Sequence, residues 1–139
     1  MIYTNVSFVG GTALANELML LGQRYMNGVI VTQVVPAIDS HASAILTYKT
    51  ALAKYSPGAP PDYVSLEGYV AASVLLEGLK RAGRHPDTEK LVEGLETLRD
   101  FDMGLGTLIS FSPRDHQGSH KVWGTRLNDQ GSYQPIDLE

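Results

Sequence analysis

Two groups of residues in this chain have the types and spacing that chemistry asks for. Asp115, His116 and His120 come nearest to a metal-ligand cluster. Histidines four apart share a zinc ion when they stand on one helical face. Here Ser112-Pro113-Arg114 and Gly118 break such a helix, and the spacing fixes no third ligand. The expectation is a polar loop, with no metal. The second group is Gly10-Gly11-Thr12, placed after an apolar run and before a helical one. Backbone N–H groups at a helix N-terminus favour a carboxylate, and loops at the carboxyl ends of parallel strands are where open α/β sheets bind ligands.

Enzymatic constellations find no support. Glu67 and Glu77 stand ten residues apart on one expected helix, about 15 Å along its axis and too far for paired-carboxylate work. No G-x-S-x-G elbow and no H-E-x-x-H occurs. Gly104-Leu105-Gly106 has no helix after it, and the Gly10-Gly11 loop lacks three-glycine spacing, so neither is a dinucleotide fingerprint. The absence of cysteine removes thiol chemistry, disulfides and cysteine metal sites. A net charge of -4 without a basic run argues against a nucleic-acid surface. No apolar run reaches the roughly 18 residues of a membrane helix. Met1-Ile2-Tyr3-Thr4-Asn5 has neither the basic region nor the apolar region of a secretory signal.

The elements that would position these residues follow from periodicity. Residues 6–10 form a short apolar strand, and Gly10-Gly11 frees a turn. Thr12 caps a helix with Leu14, Leu18 and Leu21 inward, stopped at Gly22. Residues 29–35 are apolar on both parities, the mark of a strand covered on both faces, and Pro36 ends it. A helix over 40–55 would bury Ile45, Tyr48, Leu52 and Tyr55. Ser65 is expected to cap a long helix to Ala82, closed by Gly83; its charges form so narrow a stripe that it should be largely buried. Asp87 caps a third helix with Leu91, Leu95 and Leu98 inward. Residues 107–112 alternate as a strand. Residues 122–127 and 132–136 flank Asn128-Asp129-Gln130-Gly131 as a hairpin.

In this order, four segments resemble the leucine/isoleucine/valine-binding family, the type I periplasmic solute-binding proteins of ABC transporters. They are Ser7-Phe8-Val9-Gly10-Gly11-Thr12-Ala13-Leu14-Ala15, then Gly28-Val29-Ile30-Val31-Thr32-Gln33-Val34-Val35-Pro36, then Ser65-Leu66-Glu67-Gly68-Tyr69-Val70-Ala71-Ala72. The last is residues 91–98 with Phe101-Asp102-Met103-Gly104 and Phe111-Ser112-Pro113-Arg114-Asp115-His116-Gln117-Gly118. The resemblance implies an α/β chain that is part of a type I periplasmic-binding-protein fold: a parallel β-α-β unit, three helices and a C-terminal β-hairpin. It implies a second-lobe remnant at 1–36, a first-lobe helical segment at 37–104 and second-lobe strands at 105–139.

The function so implied is that of a C-terminal fragment of an extracytoplasmic receptor, not an enzyme. Its parent would be periplasmic, take up branched-chain amino acids or related aromatic or aliphatic carboxylates, and deliver them to an ABC permease, without cofactor, metal or nucleic acid. By position, Gly10, Gly11 and Thr12 would contact the solute, with Tyr63 and Ser65 approaching from the other lobe. Relatives that bind aliphatic amino acids often carry an acid in the first loop; the matching residue here is Thr12. The fragment alone is expected not to bind solute, and to form a homodimer or segment-swapped oligomer that covers its exposed apolar surface. The alternative reading is a ligand-sensing regulatory or interaction module of the same fold.

Overall fold

The computed structural model describes Tyr3, Thr4, Leu20 and residues 28–138. The strand expected over 6–10 and the helix expected over 12–22 lie outside them, Leu20 apart. The chain divides into two compact units. One, the sheet unit, comprises Met1–Ser40, Gly58–Glu67 and Val122–Glu139; the other, the helical unit, comprises His41–Pro57 and Gly68–Lys121.

The sheet unit is built on β1 (Tyr3–Thr4), β2 (Ile30–Gln33), β5 (Trp123–Leu127) and β6 (Tyr133–Ile136), in the order β1-β2-β5-β6. β1 runs parallel to β2, while β5 and β6 add antiparallel, so the sheet is mixed. Ile30, Val31 and Gln33 are all buried, as a run apolar on both parities requires. Pairing stops at Gln33, three residues before Pro36, which has no N–H to give. Thr125 lies opposite Val31 and is buried; its hydroxyl donates to the Val31 carbonyl at 2.8 Å. The hairpin forms where the spacing predicts. Asn128 Oδ1 accepts from the N–H groups of Gln130 and Ser132, both at 2.9 Å, and Gly131 takes the positive φ (76°) that closes the turn. Val29, Val31 and Leu127 make the core, with Tyr133 packed against them.

The helical unit contains α1 (Ser43–Tyr55), most of α2 (Tyr63–Ala82), α3 (Thr88–Glu96) and the two-residue strands β3 (Phe101–Asp102) and β4 (Leu108–Ile109), which pair antiparallel. α1 starts three residues later than the expected Ser40. It buries Ala44, Ile45 and Tyr48, while Tyr55, in its last turn, is 75% exposed rather than inward. The strand expected over 107–112 is confined to Leu108–Ile109, because the chain turns at Ser112–Asp115. Asp87 does cap α3, accepting from the Lys90 N–H at 2.8 Å. α2 and α3 cross with their backbones nearly touching. A Cβ at Gly94 would lie 2.7 Å from the Gly78 carbonyl oxygen, and one at Gly78 would lie 2.6 Å from Leu95. Arg81 clasps the crossing, donating to the Thr97 carbonyl at 2.9 Å and to Glu77 at 3.0 Å. Ala44, Leu105 and Ile109 centre a core that Val70, Val74, Phe101, Met103 and Phe111 extend.

Two expectations for α2 need correction. Its N-cap is Asp62, not Ser65. The Asp62 carboxylate accepts from the Ser65 N–H at 2.8 Å, and the Ser65 hydroxyl donates back to the Asp62 carbonyl at 3.3 Å. Asp62 is the stronger cap because Pro60-Pro61 just before it holds the chain extended and out of the helix. Nor is α2 largely buried. Tyr63, Leu66 and Gly78 are buried, but Gly68, Ala71, Ala72, Leu75 and Leu76 are exposed. The face opposite the unit's own core has no covering layer among the described residues.

Candidate ligand-binding site

Of the five residues singled out as solute contacts, Gly10, Gly11 and Thr12 lie outside the described residues. Tyr63 and Ser65 both lie in the first turn of α2, in the part that belongs to the sheet unit. The Asp62 cap orients that turn. It also engages Ser65 through both N–H and hydroxyl. Tyr63 points inward: it is 4% exposed and meets Tyr133 of β6 edge to face, with ring centroids 5.3 Å apart and planes at 78°. That geometry sets the positive edge of one ring on the negative face of the other. Burial pushes the Tyr63 hydroxyl up to about 12, helped by the charge of Asp39 and partly offset by a backbone hydrogen bond with Ile38. Burial likewise raises Tyr133 to about 12, with Tyr63 adding to it. Both phenols therefore stay neutral at physiological pH, as hydrogen-bonding groups rather than bases.

The interior of the sheet unit also holds polar groups with spare capacity. Among the described residues, three buried side-chain atoms have no hydrogen-bond partner: Gln33 Nε2, Ser40 Oγ and Tyr133 Oη. All three belong to the sheet unit. A buried polar group left unpaired costs about 1–3 kcal/mol, and native interiors pair nearly all of them. Gln33 is 3% exposed and ends β2 at its carboxyl end, across from Trp123. The strand register sets Tyr133, opposite Leu127, at the other end of β5 from Gln33, opposite Trp123, so these two do not converge on one ligand. The sequence reading passed over Gln33, Ser40 and Tyr133. Gln33 alone carried a signal, as the polar residue in an otherwise apolar buried run. Tyr133 carried none, since its partner Tyr63 is 70 positions away.

The histidine group resolves into two separate pairs in the helical unit. His120 Nε2 lies 3.0 Å from Asp115 Oδ2, and His116 Nε2 lies 2.9 Å from Glu96 Oε1. The Gln117 N–H first, and His120 second, hold the Asp115 carboxyl below its usual range. No three His, Cys, Asp or Glu among the described residues gather as a metal site. The Glu96–His116 pair rims an apolar cavity of about 210 Å³ lined by Val92, Leu95 and Phe111.

A mixed α/β chain with this element order defines the class, and comparison with known proteins gives the family. The model of a family described as "Periplasmic binding protein" matches residues 3–132. The chain belongs to that family, whose members bind solutes rather than catalyse reactions. A possible leucine/isoleucine/valine-binding protein from Rhodopirellula baltica is 33% identical and superposes with a TM-score of 0.83, over 97% of this chain and 35% of its own. A substrate-binding periplasmic protein from Ralstonia solanacearum is 27% identical, with a TM-score of 0.75 over 88% of this chain and 35% of its own. A leucine binding protein from Thermotoga maritima is 25% identical, with a TM-score of 0.65 over 87% of this chain and 33% of its own. The chain thus spans about a third of the length of these solved relatives. A search of curated proteins finds no match.

Proposed function

We propose that the chain is the C-terminal portion of a two-lobed receptor that captures branched-chain amino acids or related small carboxylates in the periplasm and hands them to an ABC permease. The observation that carries this reading is the superposition of 97% of the chain on a possible leucine/isoleucine/valine-binding protein. The leucine binding protein from Thermotoga maritima supports the solute class. In this reading, which rests on the resemblance, residues 1–36 and 105–139 serve the second lobe and 37–104 the first; the compact units of the fold divide differently, with 58–67 in the sheet unit and 105–121 in the helical unit. Gly10, Gly11 and Thr12 offer backbone donors to the solute carboxylate, and Tyr63 and Ser65 contribute from α2. With an uncharged Thr12 in that loop, aromatic and other carboxylates join the aliphatic amino acids as candidates.

A receptor of this kind buries its solute by closing two lobes, so the 139-residue chain alone binds weakly and self-associates through its exposed apolar side chains. Calorimetric titration of the chain with leucine, isoleucine, valine and phenylacetate checks this. No saturation below millimolar concentration is expected; micromolar binding overturns the partial-receptor reading. The coding sequence upstream of the Met1 codon tests the parent. An in-frame first lobe supports the reading, and an unrelated frame removes it.

A further inference from the structure

We propose that the cavity between α3 and the segment after β4 is a binding site for a small organic amine: one aromatic ring or a short branched chain carrying an ammonium group. The site lies wholly in the helical unit. The inference stands apart from the solute reading, which concerns a carboxylate and other residues. Val92, Leu95 and Glu96 recur at the spacing of one helical face, and Phe111 and His116, from the segment after β4, complete the lining. Contacts outside the cavity fix these side chains. Leu95 packs on the crossing of α2 and α3, where a Cβ at Gly78 would meet its Cδ2 at 2.6 Å. The Phe111 N–H donates to the Leu98 carbonyl at 2.9 Å, tying its segment to the end of α3. Gly118 packs against the Phe111 ring, so closely that a Cβ there would lie 2.7 Å from the ring's Cζ. The cavity therefore exists before any ligand arrives, and little ordering is lost on binding.

Size and charge set the ligand class. The volume of about 210 Å³ exceeds the roughly 150 Å³ that takes a benzene ring in an apolar core. It falls short of the roughly 300 Å³ at which pockets for larger ligands begin. Val92, Leu95 and Phe111 suit an apolar body, and the rim decides the polar end. Glu96 Oε1 lies 2.9 Å from His116 Nε2, and Oε2 carries no bond among the described residues. No lysine or arginine among them pairs with Glu96. The Glu96–His116 pair is neutral when the imidazole is protonated and negative when it is not, and in neither state positive. Such a rim attracts an ammonium and offers a carboxylate nothing. The Glu96 side chain is only 21% exposed, so salt screens that attraction less than it would between two fully exposed charges.

Ligand-observed NMR of the full 139-residue chain tests this with three probes of one shape: phenethylamine, 2-phenylethanol and 3-phenylpropionate. Phenethylamine is expected to bind with a dissociation constant on the order of 1 mM. It should bind about tenfold more tightly than 3-phenylpropionate, whose carboxylate meets Glu96, with 2-phenylethanol between them. Val92→Trp fills the cavity and should abolish all three signals. Glu96→Gln keeps a hydrogen-bonding partner for His116, and should weaken phenethylamine about fivefold while leaving 2-phenylethanol unchanged. Circular dichroism confirms that each variant keeps its helices. Should Glu96→Gln lose them, His116→Ala decides: it leaves the carboxylate in place and frees Oε1, so phenethylamine should bind as tightly as before or more so, and weaker binding overturns the proposal. The absence of any phenethylamine signal also overturns it. So do equal binding of the amine and the acid, amine binding that survives Val92→Trp, and indifference to a folded Glu96→Gln.

Discussion

The sheet unit and the helical unit differ in their interiors rather than on their surfaces. Inside the sheet unit, Gln33, Ser40 and Tyr133 keep polar atoms that nothing pairs. Exposed large apolar side chains occur in both units: Val34, Val64, Val122 and Leu138 in the sheet unit, and Leu46, Leu75, Leu76, Val92 and Leu108 in the helical unit. What distinguishes the two is polar: among the described residues, the buried side-chain atoms without a hydrogen-bond partner all lie in the sheet unit.

The comparison is broken most directly in the cores. Leu127→Ala empties a fully buried position in the sheet unit and should cost about 3 kcal/mol, seen as a lower urea midpoint. Gly94→Ala strikes the helical unit, because the new methyl group meets the Gly78 carbonyl oxygen. About 2 kcal/mol is expected, and more if the crossing cannot spread.

Tyr133→Phe sharpens the comparison with the opposite sign. It removes an unpaired buried hydroxyl and should stabilise by about 1 kcal/mol. The two raised tyrosines also set a pH dependence. Below about pH 10 both phenols are neutral, folded or unfolded. As pH rises from 10 toward 12, the unfolded chain ionises first and stability falls. Denaturation midpoints should hold level to about pH 10 and then decline, less steeply in Tyr63→Phe. The smallest effect lies in the helical unit. The lowered Asp115 carboxyl adds stability above its ordinary pKa, which is lost as pH falls through its folded value. Asp115→Asn should flatten the acid limb of the stability curve slightly. An unchanged limb would show that the loop over 112–120 gains nothing from that carboxylate.

What was legible in the sequence was local chemistry. Asn128 to Gly131 specified a hairpin because a side-chain acceptor and a positive-φ glycine stood at the right offsets. Asp87 declared its own helix start. The α2 cap was misread because Asp62 and Ser65, three apart, both have capping side chains, and only the order of the bonds decides between them. Burial of α2 was misjudged for a different reason. The pattern records how much of a helix is apolar, not whether anything packs on each of its faces. The loop Gly10-Gly11-Thr12 was read from motif order and stays a proposal, while the Tyr63–Tyr133 pair depends on a fold-level encounter that no local pattern encodes.

Trp123, the sole tryptophan, stands across the strand pair from Gln33. Its emission therefore comes from a single place in the chain, beside the buried amide at the carboxyl end of β2. With no cysteine and no second indole to confuse the signal, the unlabelled protein carries its own optical gauge of that strand end. A shift in wavelength or in iodide quenching on adding a carboxylate would report events there without a dye, a tag or a mutation.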